Sequence, residues 1–487
     1  MVNFNYINYN MSQEYIPLST SIQRAHGTKA LLSADFILNP NRTPDPLGDS
    51  YLSAMVAHCL GETGAALNLP MNQAHKDYLE NIGLNSNSSL HFEIGKNANR
   101  YYPEGSCEAA FLDSPDDIKQ RIRSLLHQAG NYSFYPNFIT DNAVSISRVL
   151  EIPFGNVSSH EQENAILVSD IAHSKAFLRA GSEKCDYKIA EGQVIICENG
   201  LISPETLQAR IFEIVEEVKE KYHLNSEEID QLEFWFKLDD LSGGDGVINI
   251  SSPFDLENCR KKIQRISQII SACGKFPESF NGNLILEAGI NSIAGIEIVS
   301  NINAQALIGK DGKLTHFDTS VQMTDQDGNY LGNTLPYLDQ LALLSINREF
   351  QKLADHYYEM GYCGLMGGDA MVTKVKNGYD VIWFDMNTRM NGSQAFQEHH
   401  RLANSIQSGM HSLNINLEFQ SGIDHQAAVK ELGHNLFTIR NNRGVIPTLY
   451  RSNSESLEKV VKASIIGHSQ EDLNQIIAEL KAKEINI

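Results

Sequence analysis

The chain lacks the sequence features of several protein classes. Its 487 residues include seven cysteines, but no two of them form a CxxC pair or have the spacing of a metal site. Such scatter is typical of thiols kept reduced in the cytoplasm. No apolar run approaches the roughly 20 residues that span a bilayer. The polar start, Met1 to Tyr15, lacks the basic and apolar regions of a signal peptide. We therefore expect a cytoplasmic protein with no membrane segment.

Positive charge is also scarce in this sequence. Thirty-nine Lys and Arg residues stand against 60 Asp and Glu residues, which gives a formal net charge of -21. This balance disfavours binding to nucleic acid or to an anionic membrane surface. An anionic substrate would therefore need a local basic pocket or a metal ion. The length predicts two or three domains, and the 42% hydrophobic fraction is ordinary for a globular protein.

The most informative segment predicts a β-hairpin that carries Asp369 on its first strand and Asp385 on its second. Asp369 follows two glycines on the first strand, and the second strand ends with Asp385, Asn387 and Arg389. Alternate side chains of a strand share a face, so the last three residues point the same way if the strand runs through them. Two oxygen ligands beside a cation indicate a divalent metal site next to a phosphate or carboxylate. The alternative is an exposed hairpin whose acidic residues lie in water.

The turn of this hairpin decides whether Asp369 joins that face. A two-residue Asn377-Gly378 turn would place Asp369 opposite Met386. A three-residue loop from Lys376 to Gly378, with Gly378 in the left-handed region, would place Asp369 directly opposite Asp385. Two facing carboxylates repel each other unless a cation lies between them.

A glycine-rich turn lies between two strands in the middle of the chain. Lys237 ends the aromatic strand Glu233–Leu238, and Gly243, Gly244 and Gly246 precede a strand that begins at Val247. Backbone N–H groups of such a turn can reach phosphate oxygens, which the lysine would neutralise. The alternative is a tight hairpin turn with no ligand. The segment is neither a P-loop nor a dinucleotide fingerprint, because no Gly-Lys-Ser/Thr follows and no helix begins there.

Other elements can be predicted from periodicity and capping residues. A helix is expected over 204–222, with Ser203 as its cap and Pro204 in its first position. The run from Asn283 to Gly289 predicts a strand that carries Glu287. A helix around Phe350 to Met360 leads into the acidic hairpin, and a helix capped by Ser469 ends the chain.

The order of these parts resembles the ATP-grasp superfamily, in which two α+β subdomains clamp ATP. The resemblance implies that Lys237 contacts the phosphates, that Gly243, Gly244 and Gly246 cover them, and that the Glu287 strand lines the adenine pocket. It implies magnesium or manganese bound by Asp369, Asp385 and Asn387, with Arg389 facing the transferred phosphate or acyl group. Lys175, in Ser174–Gly181, resembles the first ATP-binding lysine; alternatively, Lys175 and Arg179 form a solvated helix face.

Within that superfamily the chain resembles the pheganomycin-type peptide ligases, which carry a pre-ATP-grasp domain. The matching stretches lie between about 170 and 410: Ser174–Gly181, Phe236–Gly246, Thr315–Gln322, Tyr330–Pro336 and Asp385–Gly392. The implied fold is a mixed α/β and α+β one. A pre-ATP-grasp α/β domain (1–160) on the substrate side precedes an ATP-grasp domain (161–487). The latter comprises a lid subdomain at about 185–285 and a core subdomain at about 286–487. Asp385 departs from the usual Glu but remains an oxygen ligand for magnesium.

The implied activity is formation of an amide or peptide bond from small-molecule carboxylate and amine substrates, such as amino acids or peptides. The carboxylate would attack the γ-phosphate of ATP, and an amine would displace phosphate from the acylphosphate. The sequence offers no general base, and His399 and His400 are expected to be a surface pair on a helix. A nucleotide-binding relative without ligase activity, and an ATP-grasp enzyme acting on a thiol or as a small-molecule kinase, stay open. So does a homodimer.

Overall fold

The computed structural model describes the following ranges of the chain: 15–33, 58–60, 64–68, 73–84, 90–93, 107–239, 246–272, 275–324, 330–335, 338–391, 393–423, 425–448 and 458–487. Helices and strands alternate in the first part of these ranges, and long antiparallel strands dominate the rest. None of the described helices combines the length and the apolar character that crossing a bilayer requires.

The described helices are α1 (Leu18–His26), α2 (Gln73–Asn81), α3 (Cys107–Leu112), α4 (Asp116–Ala129), α5 (Asp141–Leu150), α6 (Ala165–Ala172), α7 (Lys175–Cys185), α8 (Pro204–Tyr222), α9 (Ser226–Ile229), α10 (Leu256–Ala272), α11 (Gln340–Glu359), α12 (Gln394–Ile406), α13 (His425–Leu432) and α14 (Gln470–Ala482). Short 3-10 turns cover Pro277–Ser279, Ile290–Ser292 and Gly433–Asn435.

The described strands are β1 (Lys29–Ser33), β2 (Ala65–Asn68), β3 (Leu90–Glu93), β4 (Tyr132–Tyr135), β5 (Lys188–Ile189), β6 (Gly192–Cys197), β7 (Phe234–Leu238), β8 (Val247–Ile250), β9 (Gly282–Ala288), β10 (Glu297–Ile308), β11 (Leu314–Thr324), β12 (Tyr330–Thr334), β13 (Gly364–Val375), β14 (Gly378–Asn387), β15 (His411–Ile423), β16 (Gly444–Pro447) and β17 (Glu458–Gly467).

The first sheet is parallel and has the strand order β3-β2-β1-β4. Parallel strands are covered on both faces, and the apolar run Ala30–Leu32 in β1 and Phe134 in β4 are fully buried, as that arrangement requires. Helices α4 and α5 pack with this sheet in one hydrophobic core. We call residues 15–150 that the structure describes the N-terminal unit.

The largest sheet has nine strands in the order β16-β17-β15-β12-β11-β10-β13-β14-β5. Its pairs are antiparallel except β14 with β5, which are parallel. Phe350 of α11 and Trp383 of β14 belong to the same buried cluster as Phe134 and Ile146 of the N-terminal unit. The N-terminal unit therefore shares a hydrophobic core with the central sheet.

A smaller antiparallel sheet has the order β6-β9-β7-β8 and lies between β5 and β10 in the sequence. Helices α8 and α10 cover it, with Leu207, Ile214 and Ile266 fully buried against Phe234. This core is separate from the one that joins the N-terminal unit to the central sheet. We call the small sheet with α8 and α10 the lid unit.

Several sequence predictions are confirmed here. The mixed α/β and α+β fold class is confirmed by the parallel first sheet and the antiparallel sheets that follow it. Helix α8 has the predicted bounds, and the Ser203 hydroxyl accepts a hydrogen bond from the N–H of Thr206. Ser469 caps α14 through the N–H of Asp472. Helix α11 begins earlier than predicted, at Gln340, because Asp339 caps it there. The domain limits 1–160 and 161–487 stay predictions.

Candidate functional site

The predicted acidic hairpin is formed by β13 and β14, but its turn differs from both predictions. Val375 pairs with Gly378, so the turn consists of Lys376 and Asn377 alone. Gly378 begins β14 with a φ of 147°, a conformation that suits a residue without a Cβ. Both predicted loops, Asn377-Gly378 and Lys376–Gly378, are therefore wrong.

A β-bulge nevertheless brings the two acidic residues together. The pairing set by the turn continues to Ala370 opposite Trp383, and the register then shifts so that Asp369 lies opposite Asp385. Phe384 is the extra residue on β14. Without it, Asp385 would lie opposite Gly368 and its side chain would change faces. The predicted opposition of Asp369 and Asp385 is thus confirmed, although a bulge and not a three-residue loop produces it.

Amide side chains surround one oxygen of Asp369. Asn303 of β10 donates a hydrogen bond of 2.6 Å to Oδ1, and Gln322 of β11 donates one of 2.8 Å. Asn387 donates to Oδ2 at 3.4 Å. Burial and the charge of Asp385 raise the pKa of Asp369 to about 7, against the lowering effect of its hydrogen bonds. Asp369 therefore lies where a second negative charge is unfavourable without a cation.

Asp385 and Asn387 share the strand face that Asp369 reaches, but Arg389 does not belong to the strand. Strand β14 ends at Asn387, so the alternation from which Arg389 was predicted stops two residues before it. Lys175 lies 3.5 Å from Asp385 Oδ1, and the N–H of Met386 donates to the same oxygen at 3.1 Å. Asp369, Asp385 and Asn387, which we call the hairpin site, thus supply two carboxylates and one amide.

The described residues contain no group of three or more His, Cys, Asp or Glu side chains with the arrangement of a metal site. The hairpin site is not such a group, because its third member, Asn387, is an amide. Its two carboxylates nevertheless offer oxygen ligands of the kind that Mg²⁺ prefers, and Asn387, which donates to Asp369 through Nδ2, also carries an amide oxygen. The unfavourable approach of two carboxylates at Asp369 is the feature that fits a divalent cation.

Lys237 of β7 lies beside the bulge. Its Nζ donates to a Glu287 carboxylate oxygen and, at 3.3 Å, to the carbonyl oxygen of Phe384. The same ammonium lies 5.6 Å from the centre of the Phe384 ring. Lys237 and Lys175 therefore converge on the Phe384–Asp385 dipeptide, the former from the lid unit and the latter from the start of α7.

Glu287 of β9 is held between two cations. Arg179 of α7 donates a 2.6 Å hydrogen bond to Glu287 Oε1, while Lys237 binds Oε2. Burial alone would raise the pKa of Glu287, but the charges of Lys237 and Arg179 outweigh it and lower the pKa. The side chains of Arg179 and Lys175 are 12% and 7% exposed, so the interpretation of this helix as a solvated face is wrong.

Asp239 fixes the start of α7 and was missed in the sequence. Its carboxylate accepts hydrogen bonds from the Ser174 hydroxyl at 2.9 Å, from the N–H of Ala176 at 2.8 Å and from Asn283 at 3.0 Å. A carboxylate at a helix N-terminus is favourable for the helix dipole. Asp239 follows β7 directly, so it ties Lys175 to the strand that carries Lys237. Its position two residues after Lys237 was the available signal.

The glycine turn can be described only at its end. The carbonyl of Gly246 accepts a hydrogen bond of 2.9 Å from the N–H of Leu238, which closes the β7–β8 connection. Gly243 and Gly244 lie outside the described residues. Their predicted contact with phosphates stays a prediction.

Arg389 contacts an aromatic ring that the sequence did not indicate. Its guanidinium carbon lies 5.1 Å from the ring centre of Phe138, which follows β4 in the N-terminal unit. Arg389 is 8% exposed, and burial lowers its pKa, while the charges of Asp385 and Asp369 oppose that shift. A guanidinium stays charged in proteins, so Arg389 brings a buried positive charge to the hairpin site.

His399 and His400 are not a surface pair. The predicted helix exists as α12, but His399 is fully buried and binds His58 at 2.6 Å and Ser464 at 2.7 Å. His400 is half-buried and contacts Ser412 at 2.8 Å. Helix α12 is enclosed on both sides because its residues contact strands of the central sheet as well as the N-terminal unit.

A second group of buried charges surrounds Glu398 on the same helix. Its carboxylate accepts hydrogen bonds from Tyr15 at 2.8 Å and Arg401 at 3.1 Å, and it contacts His316 at 3.1 Å. Arg401 also donates to Asp318 at 2.6 Å. We call Tyr15, His316, Asp318, Glu398 and Arg401 the Glu398 network. Sequence patterns gave no sign of it.

Comparison with known proteins relates this geometry to solved structures. No protein-family model and no curated protein sequence matches the chain. A biotin carboxylase from Campylobacter jejuni, solved as a β,γ-ATP complex, matches with a TM-score of 0.52 and 13% identity over 94% of this chain and 92% of its own. A pyruvate carboxylase from Rhizobium etli matches with a TM-score of 0.52 and 11% identity over 94% of this chain and 37% of its own. The chain therefore has the ATP-grasp fold.

Proposed function

We propose that this protein is an ATP-dependent carboxylate–amine ligase that forms an amide or peptide bond through an acylphosphate. One observation carries the proposal. Lys237 of the lid unit and Lys175 of α7 meet at the bulge that turns Asp385 toward Asp369. Bulges commonly re-aim side chains next to active sites. The bulge gathers cations and carboxylates in one place, and such a group of charges suits a metal-bound phosphate.

The charge balance of the protein strengthens this assignment. The chain carries a formal net charge of -21, yet Lys175, Arg179, Lys237 and Arg389 are all largely buried around the hairpin site. Lys237 and Arg179 share the single carboxylate of Glu287, which leaves a local positive charge. A buried cation is costly unless an anion approaches it. The phosphates of ATP supply that anion.

Lys237 and Lys175 would bind the nucleotide phosphates, with Gly243, Gly244 and Gly246 above them. The strand that carries Glu287 would border the adenine. Asp369, Asp385 and Asn387 would hold magnesium, or manganese in its place. The metal ion would supply charge neutralisation on the phosphate oxygens.

The reaction has two balanced steps. A carboxylate oxygen of the first substrate attacks the γ-phosphorus of ATP, the bond to the β-phosphate oxygen breaks, and an acylphosphate and ADP form. The amine nitrogen of the second substrate then attacks the acyl carbon. The C–O bond to phosphate breaks, and an amide, inorganic phosphate and a proton result. Arg389 faces the phosphoryl group as it moves, and Lys237 balances its charge.

The proposal includes a substrate class. The stretches that resemble pheganomycin-type ligases contain Gln322, which donates to Asp369, and Asp318, which belongs to the Glu398 network. We assign peptide or amide formation from an amino acid or peptide carboxylate. The N-terminal unit, which shares a core with the central sheet, would contribute to binding that carboxylate.

The test is ADP release from ATP with Mg²⁺ across a panel of amino acids, short peptides and amines, added singly and in pairs. A ligase should release ADP at a high rate only when both a carboxylate and an amine are present, and it should form one phosphate for each amide. Hydroxylamine should trap the acylphosphate as a hydroxamate when only the carboxylate is present. Asp369→Asn should abolish turnover, and Asp311→Asn, at an exposed surface pair, should not. Products that carry a thioester or a phosphorylated hydroxyl, or nucleotide binding without turnover, would overturn the ligase assignment.

A further inference from the structure

An aromatic residue of the N-terminal unit contacts Arg389, which lies beside the hairpin site. Phe138 lies just after β4, and its ring centre is 5.1 Å from the guanidinium carbon of Arg389. The ring of His173, between α6 and α7, lies 4.6 Å from the Phe138 ring with the two planes at 30°. Phe138 therefore contacts the first arginine after the acidic strand, although the two residues are distant in the sequence.

Hydrogen bonds close a circuit around this contact. The N–H of Ile139 donates to the Ser169 hydroxyl at 3.2 Å, and His173 Nδ1 contacts the Ser169 carbonyl at 2.7 Å. Thr388 Oγ1 lies 3.2 Å from His173 Nε2 and 3.3 Å from Nδ1. A neutral imidazole satisfies both contacts if Nδ1–H donates to the carbonyl and Nε2 accepts from the threonine hydroxyl.

The neutral form of His173 follows from its surroundings. Burial, and then the charge of Arg389, lower its pKa to about 3. The circuit thus runs from the neighbour of Phe138 through Ser169 and His173 to the neighbour of Arg389. Each end of the Phe138–Arg389 contact is tied through the next residue in the chain, by the backbone N–H of Ile139 at one end and the side-chain hydroxyl of Thr388 at the other. Such a closed arrangement holds a side chain in place more firmly than a contact between two mobile residues.

We propose that Phe138 is the positioning residue for Arg389, so that the N-terminal unit sets how the protein holds the γ-phosphate of ATP and the phosphoryl group derived from it. The proposal rests on the proposed function, because it takes the ligand of Arg389 to be that phosphate. A guanidinium can stack its flat face on an aromatic ring and keep its N–H edge free. Phe138 can therefore fix the cation and leave its hydrogen-bonding edge directed at an anion.

The geometry also explains why an aromatic residue suits this position. The charges of Asp369 and Asp385 act on Arg389 from the hairpin site. A carboxylate in place of Phe138 would neutralise the cation, and an aliphatic residue would remove the attraction of the ring. A π-face attracts the cation without a competing formal charge. Arg389 then stays between the N-terminal unit and the hairpin site.

The test compares two nucleotides that differ in the γ-phosphate. Titration calorimetry with Mg²⁺ measures the affinity for ADP and for the nonhydrolysable analogue AMP-PNP. Phe138→Leu should weaken AMP-PNP binding about 3- to 30-fold, the range expected for loss of a buried cation–π contact. ADP binding should stay unchanged. Phe138→Tyr keeps the π-face and should retain the wild-type ratio of AMP-PNP affinity to ADP affinity. If Phe138→Leu folds poorly, Phe138→Met takes its place and should show the same loss.

A double-mutant cycle identifies the residue through which Phe138 acts. In an Arg389→Met background, Phe138→Leu should no longer change the affinity for AMP-PNP, because the partner is gone. Equal losses for ADP and AMP-PNP, a loss that persists in the Arg389→Met background, or no loss in Phe138→Leu and Phe138→Met would overturn the positioning role alone. A wild-type protein that binds neither nucleotide would overturn the proposed function and this inference together.

Discussion

The Glu398 network and the hairpin site both bury carboxylates, but they differ in how those carboxylates are neutralised. Burial alone would raise the pKa of Glu398, yet Arg401 and the hydrogen bonds from His316 and Tyr15 lower it. At Asp369, burial and the charge of Asp385 act in the same direction and raise the pKa to about 7. A network that satisfies its own charges can stabilise the fold, whereas a site with opposed like charges is completed by a ligand.

The two regions also differ in what they connect. Arg401 of α12 joins Glu398 on its own helix to Asp318 of β11, and Tyr15 brings in the start of the described chain. These contacts join the N-terminal unit, α12 and the central sheet. Lys237 and Lys175 instead approach Phe384 and Asp385 from the lid unit and from α7. Ligand binding between such separate units is what a clamp-like fold allows.

The largest expected effect is on stability, in the Glu398 network. Arg401→Met leaves Glu398 buried and Asp318 without its main cation, so the free energy of unfolding should fall by about 3 to 5 kcal/mol. Urea unfolding followed by circular dichroism measures this change. Arg210→Met removes an arginine from an exposed pair with Glu213 and should cost at most about 1 kcal/mol. Equal effects of the two substitutions would contradict a stabilising role for the network.

Lys237→Met should weaken nucleotide binding strongly and change stability little, the reverse of what we expect for Arg401→Met. The affinity for ADP with Mg²⁺ should fall by about 10- to 100-fold, the effect of losing a charge-assisted hydrogen bond. The free energy of unfolding should change much less, because Arg179 still neutralises Glu287. Calorimetric titration and urea unfolding of the same sample separate the two effects. Unchanged affinity in a folded variant would remove Lys237 from the nucleotide site.

A smaller effect, on the pH dependence of stability, is expected at His400. Burial, and then the charge of Arg401 in the Glu398 network, lower the pKa of His400 to about 3. The unfolded chain takes up a proton near pH 6.5 and the folded chain does not, so stability is present above pH 6.5 and is lost as pH falls toward 3. The substitution His400→Gln should reduce the slope of the unfolding free energy against pH by up to about 1.4 kcal/mol per pH unit. An unchanged slope between pH 6.5 and 4 would show that His400 is charged in the fold.

Sequence patterns predicted the elements of the site better than their register. Ser203, Pro204 and the apolar stripe define α8, since local capping and periodicity determine such a helix. The bulge at Phe384 could not be predicted, because it depends on contacts made by distant residues. Its carbonyl accepts from Lys237, and a Cβ at Gly368 would lie 2.7 Å from the Trp383 ring, so Gly368 allows that ring to pack across the hairpin.

Residues that act through tertiary contacts were likewise missed. Phe138 and Arg389 are separated by most of the chain, and no spacing relates them. His399 and His400 fit a polar helix surface by composition, but α12 is covered on the side where a surface was expected. Arg389 was predicted from strand alternation although β14 ends at Asn387. The prediction named a residue that does lie near the site, for a reason that the structure does not support.

The most direct test of the account is the Mg²⁺ dependence of ADP binding in Asp369→Asn, with Asp311→Asn as the matched control. The wild-type protein and Asp311→Asn should bind ADP at least about tenfold more tightly with Mg²⁺ than with EDTA, a difference of roughly 1.4 kcal/mol. Asp369→Asn should lose this difference and keep its unfolding free energy within about 0.5 kcal/mol, since an amide relieves the repulsion by Asp385. An Asp369→Asn variant that retains the full Mg²⁺ dependence would contradict a metal–nucleotide role for the hairpin site.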